Sequence, residues 1–536
     1  MPMTRNSARL RVLVAALTAS AMLSVAATPA LANHTKHAQH LQRPHAAHDR
    51  GAKFYVGAAK ADVTPTSLAN FYLGGYGIGP VHEATGVLRH IYFRVIAIRG
   101  RSGQQVVIGS LDSQGYSIAY SQGPYGFRDV ENYIQAHLGI PDSHIILQAT
   151  HSHNGPDEIG VWGGVPVTYF AFVAHQMETA ITQAVAAEQP ALLKVGTADM
   201  TGFAGTFGSN TDSTNTGDNT DYPLDNQLRV LQAITPATHE VIATLVNYST
   251  HPTVYGPLNK VSPDWPGATA TYLEGDEQDT QPGARYGYPG STAIVTIGAV
   301  GHSWPAGIPA GNADPAVDPT SSKTDDNYPA DMFGNAVARK AIDAVSGGHG
   351  FFLTDPTVNG TEATVHVENT NPVLFAANNE PANSTPLGGY KIYRSTAPPW
   401  DDGDVYTSKV TTLRVGNLPF YSVPGEPYPS IKFTLNRDVQ APVQFIFGLA
   451  QDQLGYVEEP GDYNGAFQCS TTDEWFFTIS PVFGGDVARL SWDNAKALGF
   501  GVRSKLTDAY GPGQVPPATN CTEQQVESGT GGLPVG

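Results

Sequence analysis

The chain has 536 residues, enough for one large domain or several smaller ones. Only 15% of them are charged, while 57 are glycine and 40 proline, the composition of a turn-rich globular enzyme and not of a disordered or coiled chain. The formal net charge of −18 argues against a nucleic-acid partner and against electrostatic attachment to anionic lipid, although an apolar groove can still accept a lipid.

The predicted elements begin with a secretory signal peptide over residues 1–32: Arg5, Arg9 and Arg11, an apolar run from Val12 to Ala27, and Ala30-Leu31-Ala32 as the cleavage pattern. Export is therefore the expected localisation. Removing this segment takes away three arginines and no acid, leaving 27 basic residues against 48 acidic ones. No later run of 18 apolar residues appears, so no membrane span is expected. Residues 33–52 carry His34, His37, His40, His45 and His48, and read either as a weak metal-loading tract or as a solvated spacer. The two cysteines, Cys469 and Cys521, suit one disulfide in an oxidising compartment.

Folded sequence starts near Phe54. Val106 to Asp112 and Ile145 to Ala149 are buried-strand patterns, and Asp129 to Leu138 separates them with a helical one. Tyr169 to Ala187 and Met332 to Val345 have apolar residues at helical spacing. Val230 to Tyr248 reads as paired strands turning at Thr235-Pro236. Beyond residue 350 the pattern turns to β, over Ala363–Val367, Thr411–Val423 and Val443–Leu449. Together these give an α/β class with mixed β-sheets flanked by helices, in one large domain over residues 53–510 with a β-rich second half and a tail over 511–536.

Two segments carry the chemistry. After the strand at 145–149 comes Thr150-His151-Ser152-His153-Asn154-Gly155-Pro156; histidines two apart on a strand end share a side, and Asn-Gly-Pro turns the chain at the sheet rim. Ala243 to Tyr248 runs in the same way into Ser249-Thr250-His251-Pro252-Thr253. Ligand crevices form at carboxyl ends of strands, so the pair suggests a metal site assembled from distant segments. Glu426 and Tyr456 follow apolar strands, but spacing alone does not single them out.

The first histidine segment resembles the Thr-His-Thr-His-Ser-Gly-Pro motif of the neutral ceramidases, the neutral/alkaline non-lysosomal family. Other blocks are similar to that family in order: Val56 to Thr64, Gly74-Gly75-Tyr76-Gly77, Thr85-Gly86-Val87, Leu111-Asp112, Asn247 to Thr253, Ser262 to Gly267, Arg414-Val415-Gly416, Val423 to Glu426, Gly448-Leu449-Ala450, and Gly455-Tyr456-Val457 with Tyr463. The resemblance implies one Zn2+ held by His151, His251, Glu426 and Tyr456, with His153 beside it as proton shuttle. It implies hydrolysis of the N-acyl amide of ceramide, or of a related lipid-like substrate, to sphingosine and fatty acid by metal-activated water. Asp264 either orients a ligand histidine through its ring N–H or caps the turn.

The chain also departs from the family pattern. No arginine stands between Gly202 and Tyr222, where the family places one facing the substrate. Gln468 stands where a second active-site tyrosine belongs, and His302 where Gly-Asp-x-x-Pro has its acid; His302 is expected as a hydrogen-bonded structural residue or a new polar contact. The residues after Tyr463 are too few for the immunoglobulin-like C-terminal domain of larger members. Two other readings therefore stay open: a zinc-dependent esterase or N-acyl hydrolase for another substrate, and a non-catalytic exported protein containing a metal.

Overall fold

The computed structural model describes residues 53–77, 80–206, 224–275, 287–309, 312, 328–368, 395, 399, 405–458, 479–480 and 483–506. The leader, the His-rich tract, Tyr463, Gln468, both cysteines, the tail from 511 and most of the 202–222 loop lie outside those residues.

Alternation along single strands sets the layering. In Tyr92–Gly100, Phe93, Val95 and Ala97 face the helices Phe127–Leu138 and Val167–Ala186, while Ile96 and Ile98 face the other way, into a second sheet. Val241–Tyr248 repeats the division: Val246 and Tyr248 meet the helices Asp264–Glu274 and Tyr328–Val345, and Ala243 and Leu245 meet the second sheet. The outer face of that second sheet, through Val365, Val410, Tyr421 and Ile446, is covered by the helices Pro429–Asp438 and Phe483–Ala497. The result is four layers, helix–sheet–sheet–helix, an α/β architecture as the sequence predicts. Each fully buried aliphatic side chain in these interfaces contributes about 1.5–3 kcal/mol.

Among the described residues the first sheet has nine strands. Eight run in the order Thr292–Ile297, Val241–Tyr248, Gln227–Ile234, Gln189–Asp199, Phe54–Asp62, Tyr92–Gly100, Gln105–Leu111, Ile145–Ala149, and Phe351–Phe352 pairs with Gln189–Asp199. The second sheet pairs Val358–Glu368, Val405–Val415, Leu418–Ser422 and Phe445–Phe447. The strands that precede the histidine segments thus lie near opposite ends of one sheet. The sheet coils until those ends approach: the Ser110 hydroxyl donates to the Val295 carbonyl at 2.7 Å. The segment after Phe445–Phe447 fills the remaining gap. The Gly448 N–H donates to Ile297 at 3.2 Å, the Ala149 N–H to Leu449 at 3.1 Å, and the Gln451 N–H to Leu147 at 2.8 Å.

The predicted strand at 145–149 and the strand pair turning near residue 235 are present with those bounds or close to them. Three helices depart from the expected pattern. Asp264–Glu274 is buried at every position, so it carries no amphipathic period to read. Pro429–Asp438 and Phe483–Ala497 interrupt the β-rich half; the first is only 10 residues long and buries Lys432 and Asp438, which obscures its apolar face. Among the described residues no helix is long and apolar enough to cross a membrane.

Candidate metal centre

The strand Ile145–Ala149 ends two residues before His151, whose φ of +63° turns the chain out of the extended region. His151 and His153 therefore do not share a side by strand alternation, as the sequence argument has it. A turn closed by the Gly155 N–H on the Ser152 carbonyl at 2.8 Å brings them together instead, with their Nε2 atoms 3.2 Å apart. The second histidine segment joins directly: the His153 N–H donates to the Pro252 carbonyl at 3.2 Å. Asn154 locks the two loops, donating to Gly256 at 3.1 Å and accepting from the Leu258 N–H at 3.0 Å.

His151, His153 and His251 are all buried, with one ring nitrogen of each inside a 4.8 Å cluster. Glu426 completes it: its Oε2 lies 3.3 Å from His151 Nε2 and 3.2 Å from His251 Nε2. Glu426 arrives on a two-residue strand paired in parallel with Tyr456-Val457, so Tyr456 stands beside it in register, its ring 6.5 Å from that of His251. His151, His251 and Glu426 thus meet from three separate segments, with His153 among them and the Tyr456 ring nearby.

Hydrogen bonds decide which atoms face inward. His151 Nδ1 donates to the Gln114 carbonyl at 2.8 Å, and His251 Nδ1 to the Ser303 carbonyl at 2.9 Å. A carbonyl only accepts, so in each neutral ring the proton sits on Nδ1 and the Nε2 lone pair points at the Glu426 carboxylate. Lone pairs at this separation repel unless a cation lies between them. The donor set, nitrogen and oxygen converging with no cationic side chain among them, fits a metal ion. His153 is different. Its Nδ1 has no hydrogen-bond partner among the described residues, so none of them fixes its tautomer as the two carbonyls fix those of His151 and His251.

The surroundings tune these groups. Burial, then the neighbouring His151 and His251, holds His153 well below the ordinary histidine value, with Glu426 opposing. Burial would raise Glu426, but with no metal between them a protonated His151 or His251 would outweigh it and hold the carboxyl well below its usual range. Its Oε1 accepts from Gln453 Nε2 at 3.1 Å. Trp304 stacks on His251 at 4.5 Å and 5° and meets His153 edge-on at 5.7 Å. Tyr76 also packs on His153, its ring 5.0 Å from the imidazole and its hydroxyl donating to the Tyr255 carbonyl.

Asp264 does not touch a histidine ring. Its carboxylate accepts the backbone N–H groups of Val254 at 3.3 Å, Tyr255 at 3.1 Å and Trp265 at 2.7 Å, so it caps the turn that carries His251. Of the two roles open to it, orienting a histidine falls to backbone carbonyls instead. Burial pushes its carboxyl up to about 6, against those three hydrogen bonds. His302 is fully buried, at φ +59°, with its ring nearly parallel to Tyr428 at 6.3 Å. The roles of Gln114, Ser303 and Gln453 carry no sequence signal, because the first two give a backbone carbonyl to a histidine and the third a single side-chain amide. Tyr76 and Trp304 sit inside motifs already legible in the sequence, Gly74-Gly75-Tyr76-Gly77 and Gly301 to Pro305.

No protein-family model matches the chain, and no curated protein matches its sequence. Solved structures do match. The neutral ceramidase from Pseudomonas aeruginosa superposes with a TM-score of 0.61 at 17% identity, covering 85% of this chain and 77% of that one. A ceramidase complexed with C2 superposes with a TM-score of 0.60, also at 17% identity, covering 88% and 78%. This chain has the neutral ceramidase fold. The histidine cluster lies within that fold where the two ends of the coiled sheet meet the second sheet.

Proposed function

We propose that this chain is an exported, zinc-dependent amidohydrolase of the neutral ceramidase type, with residues 53–510 as its catalytic unit. It hydrolyses the N-acyl amide of ceramide, or of a related lipid-like substrate, to a fatty acid and the free amine. The observation that carries the reading is the convergence of His151 Nε2 and His251 Nε2 on Glu426 Oε2, with both Nδ1 protons committed to carbonyls. The fold likeness supports the substrate class. Residues 1–32 support export.

Held by His151, His251, Glu426 and Tyr456, zinc would supply the Lewis acidity that polarises an amide carbonyl and acidifies a water. The remaining chemistry falls to the protein. His153, neutral and facing the cluster through Nε2, takes the proton of the attacking water there and returns it to the leaving nitrogen, which an amine needs in order to depart. Tyr76 and Trp304 hold that ring between them and keep bulk water from it. Gln453 holds Glu426 through its outer oxygen, leaving Oε2 directed at the cluster.

The test is paired. Metal content of the purified protein is measured, then fatty-acid release from a fluorescent ceramide with and without chelator. One zinc per chain and chelator-sensitive release are expected. Zinc without ceramide turnover moves the substrate to another N-acyl or ester compound, the reading favoured by the arginine-free segment 202–222. Absence of zinc from protein purified and refilled with the metal overturns the proposal.

A further inference from the structure

Away from the histidines, Asp225 is a buried carboxylate that holds two buried cations. It is 1% exposed. Oδ1 accepts Lys432 Nζ at 2.6 Å and an Arg229 nitrogen at 2.9 Å, and Oδ2 accepts the Ser249 hydroxyl at 2.7 Å. Burial pushes the carboxyl up, but the two cations outweigh it and keep it ionised far below the usual range. Two buried cations on one buried carboxylate is a costly arrangement unless its geometry is exploited.

The bonds lead to the metal centre from both sides. Ser249 lies at the end of Val241–Tyr248, two residues before His251. Its Oγ also accepts the Ala299 N–H at 3.0 Å, and its carbonyl accepts the Ser303 hydroxyl at 2.7 Å. Ser303 in turn receives both the backbone N–H and the Nδ1 of His251, each at 2.9 Å. Lys432 lies on the helix Pro429–Asp438, which begins three residues after Glu426. One carboxylate therefore joins the segment that delivers His251 to the helix that continues from Glu426. Charge-assisted bonds are short and stiff, and ligand atoms must be held to about 0.5 Å for tight binding.

We propose that Asp225 is a positioning residue of the metal centre, setting the His251–Glu426 separation through Ser249 on one side and Lys432 on the other. The inference rests on the reading of the cluster as a zinc site. Asp225→Asn strands two buried cations and can fail to fold. Ser249→Ala and Lys432→Met instead cut one arm each and leave the Asp225–Arg229 pair intact. Lys409→Met is the control: it removes an equally buried ion paired with Glu131 at 2.6 Å, on the strand Val405–Val415, which carries no cluster residue.

Zinc affinity of each full-length protein is measured by competition with a chromogenic chelator, well below its unfolding temperature. Metal-free thermal stability is measured alongside. Ser249→Ala and Lys432→Met are expected to weaken zinc binding about 10–100-fold, as loss of a ligand's supporting partner does elsewhere. Lys409→Met is expected to lower stability and leave zinc affinity unchanged. A merely structural Asp225 cluster predicts that all three variants lose stability and keep wild-type affinity, and that result overturns the inference. Failure of the wild-type protein itself to bind zinc overturns the metal-centre reading as well, so the two failures are distinct.

Discussion

Gly75→Ala is the sharpest perturbation of the proposed shuttle, because the three atoms nearest to the added methyl all belong to His153. Gly75 has a φ of +102°, and a Cβ added there would lie 2.3 Å from His153 Cγ and 2.7 Å from its Cβ and Cδ2. Carbon atoms in contact sit about 3.5 Å apart, so the ring or the Gly75 loop must shift by roughly 1 Å. The ring has little room to retreat, since Tyr76, Trp304 and His251 lie around it at centroid distances of 5.0, 5.7 and 5.4 Å. An alanine at positive φ adds about 1–2 kcal/mol of backbone strain, small for a chain of this size. A 1 Å misplacement of a catalytic group costs about 100-fold in rate. The variant is therefore expected to fold, to hold one zinc per chain, and to lose about two orders of magnitude in kcat. The assay is steady-state hydrolysis of a fluorescent N-acyl substrate, with metal content by mass spectrometry on the same sample. Wild-type kcat in a folded, zinc-loaded Gly75→Ala protein would refute the role given to the His153 position.

His153→Ala should keep its zinc, because the expected ligands remain, and lose about 10²–10⁴-fold in kcat; near-normal turnover would remove His153 from the proton path. Tyr456→Phe should bind zinc at least about tenfold more weakly in chelator competition if its hydroxyl completes the ligand set, and unchanged affinity would take Tyr456 out of that set. Glu131 gives a pH prediction. Burial pushes its carboxyl up to about 7, with Lys409 and Arg128 opposing. A raised carboxyl contributes stability in full below its unfolded value near 4.5; that stability is lost as pH rises through about 7. Wild type should thus lose about 3 kcal/mol relative to Glu131→Gln between those limits, read from urea midpoints; parallel pH curves would show that Glu131 does not titrate in that window.

Local chemistry was legible where it is written in contiguous residues. The apolar run 145–149 and the His-x-His segment that follows could be read directly, as could Ser249 to Thr253 after its strand. Their meaning depended on a resemblance for Glu426 and Tyr456, since a single carboxylate or phenol after a strand has no signature of its own. The sequence leaves two roles open for Asp264, because Asp suits both a cap and an orienting acceptor; three backbone N–H groups on its carboxylate decide for the cap. Helix Asp264–Glu274 has no readable period for the opposite reason, being buried on every side.

Sequence patterns act over a few residues, through strand alternation, helical period and turn chemistry, and so they identify the donors. They do not say that a strand near each end of a nine-stranded sheet brings its histidine to the same point. That follows from coiling of the sheet and from the segment 448–451 hydrogen-bonding to both ends, a long-range closure with no local signal. The Nδ1 protons of His151 and His251 are likewise placed by carbonyls of Gln114 and Ser303, groups that every residue type carries. Backbone acceptors leave no trace in the choice of amino acid, so the orientation of the candidate ligands is decided by the tertiary structure alone.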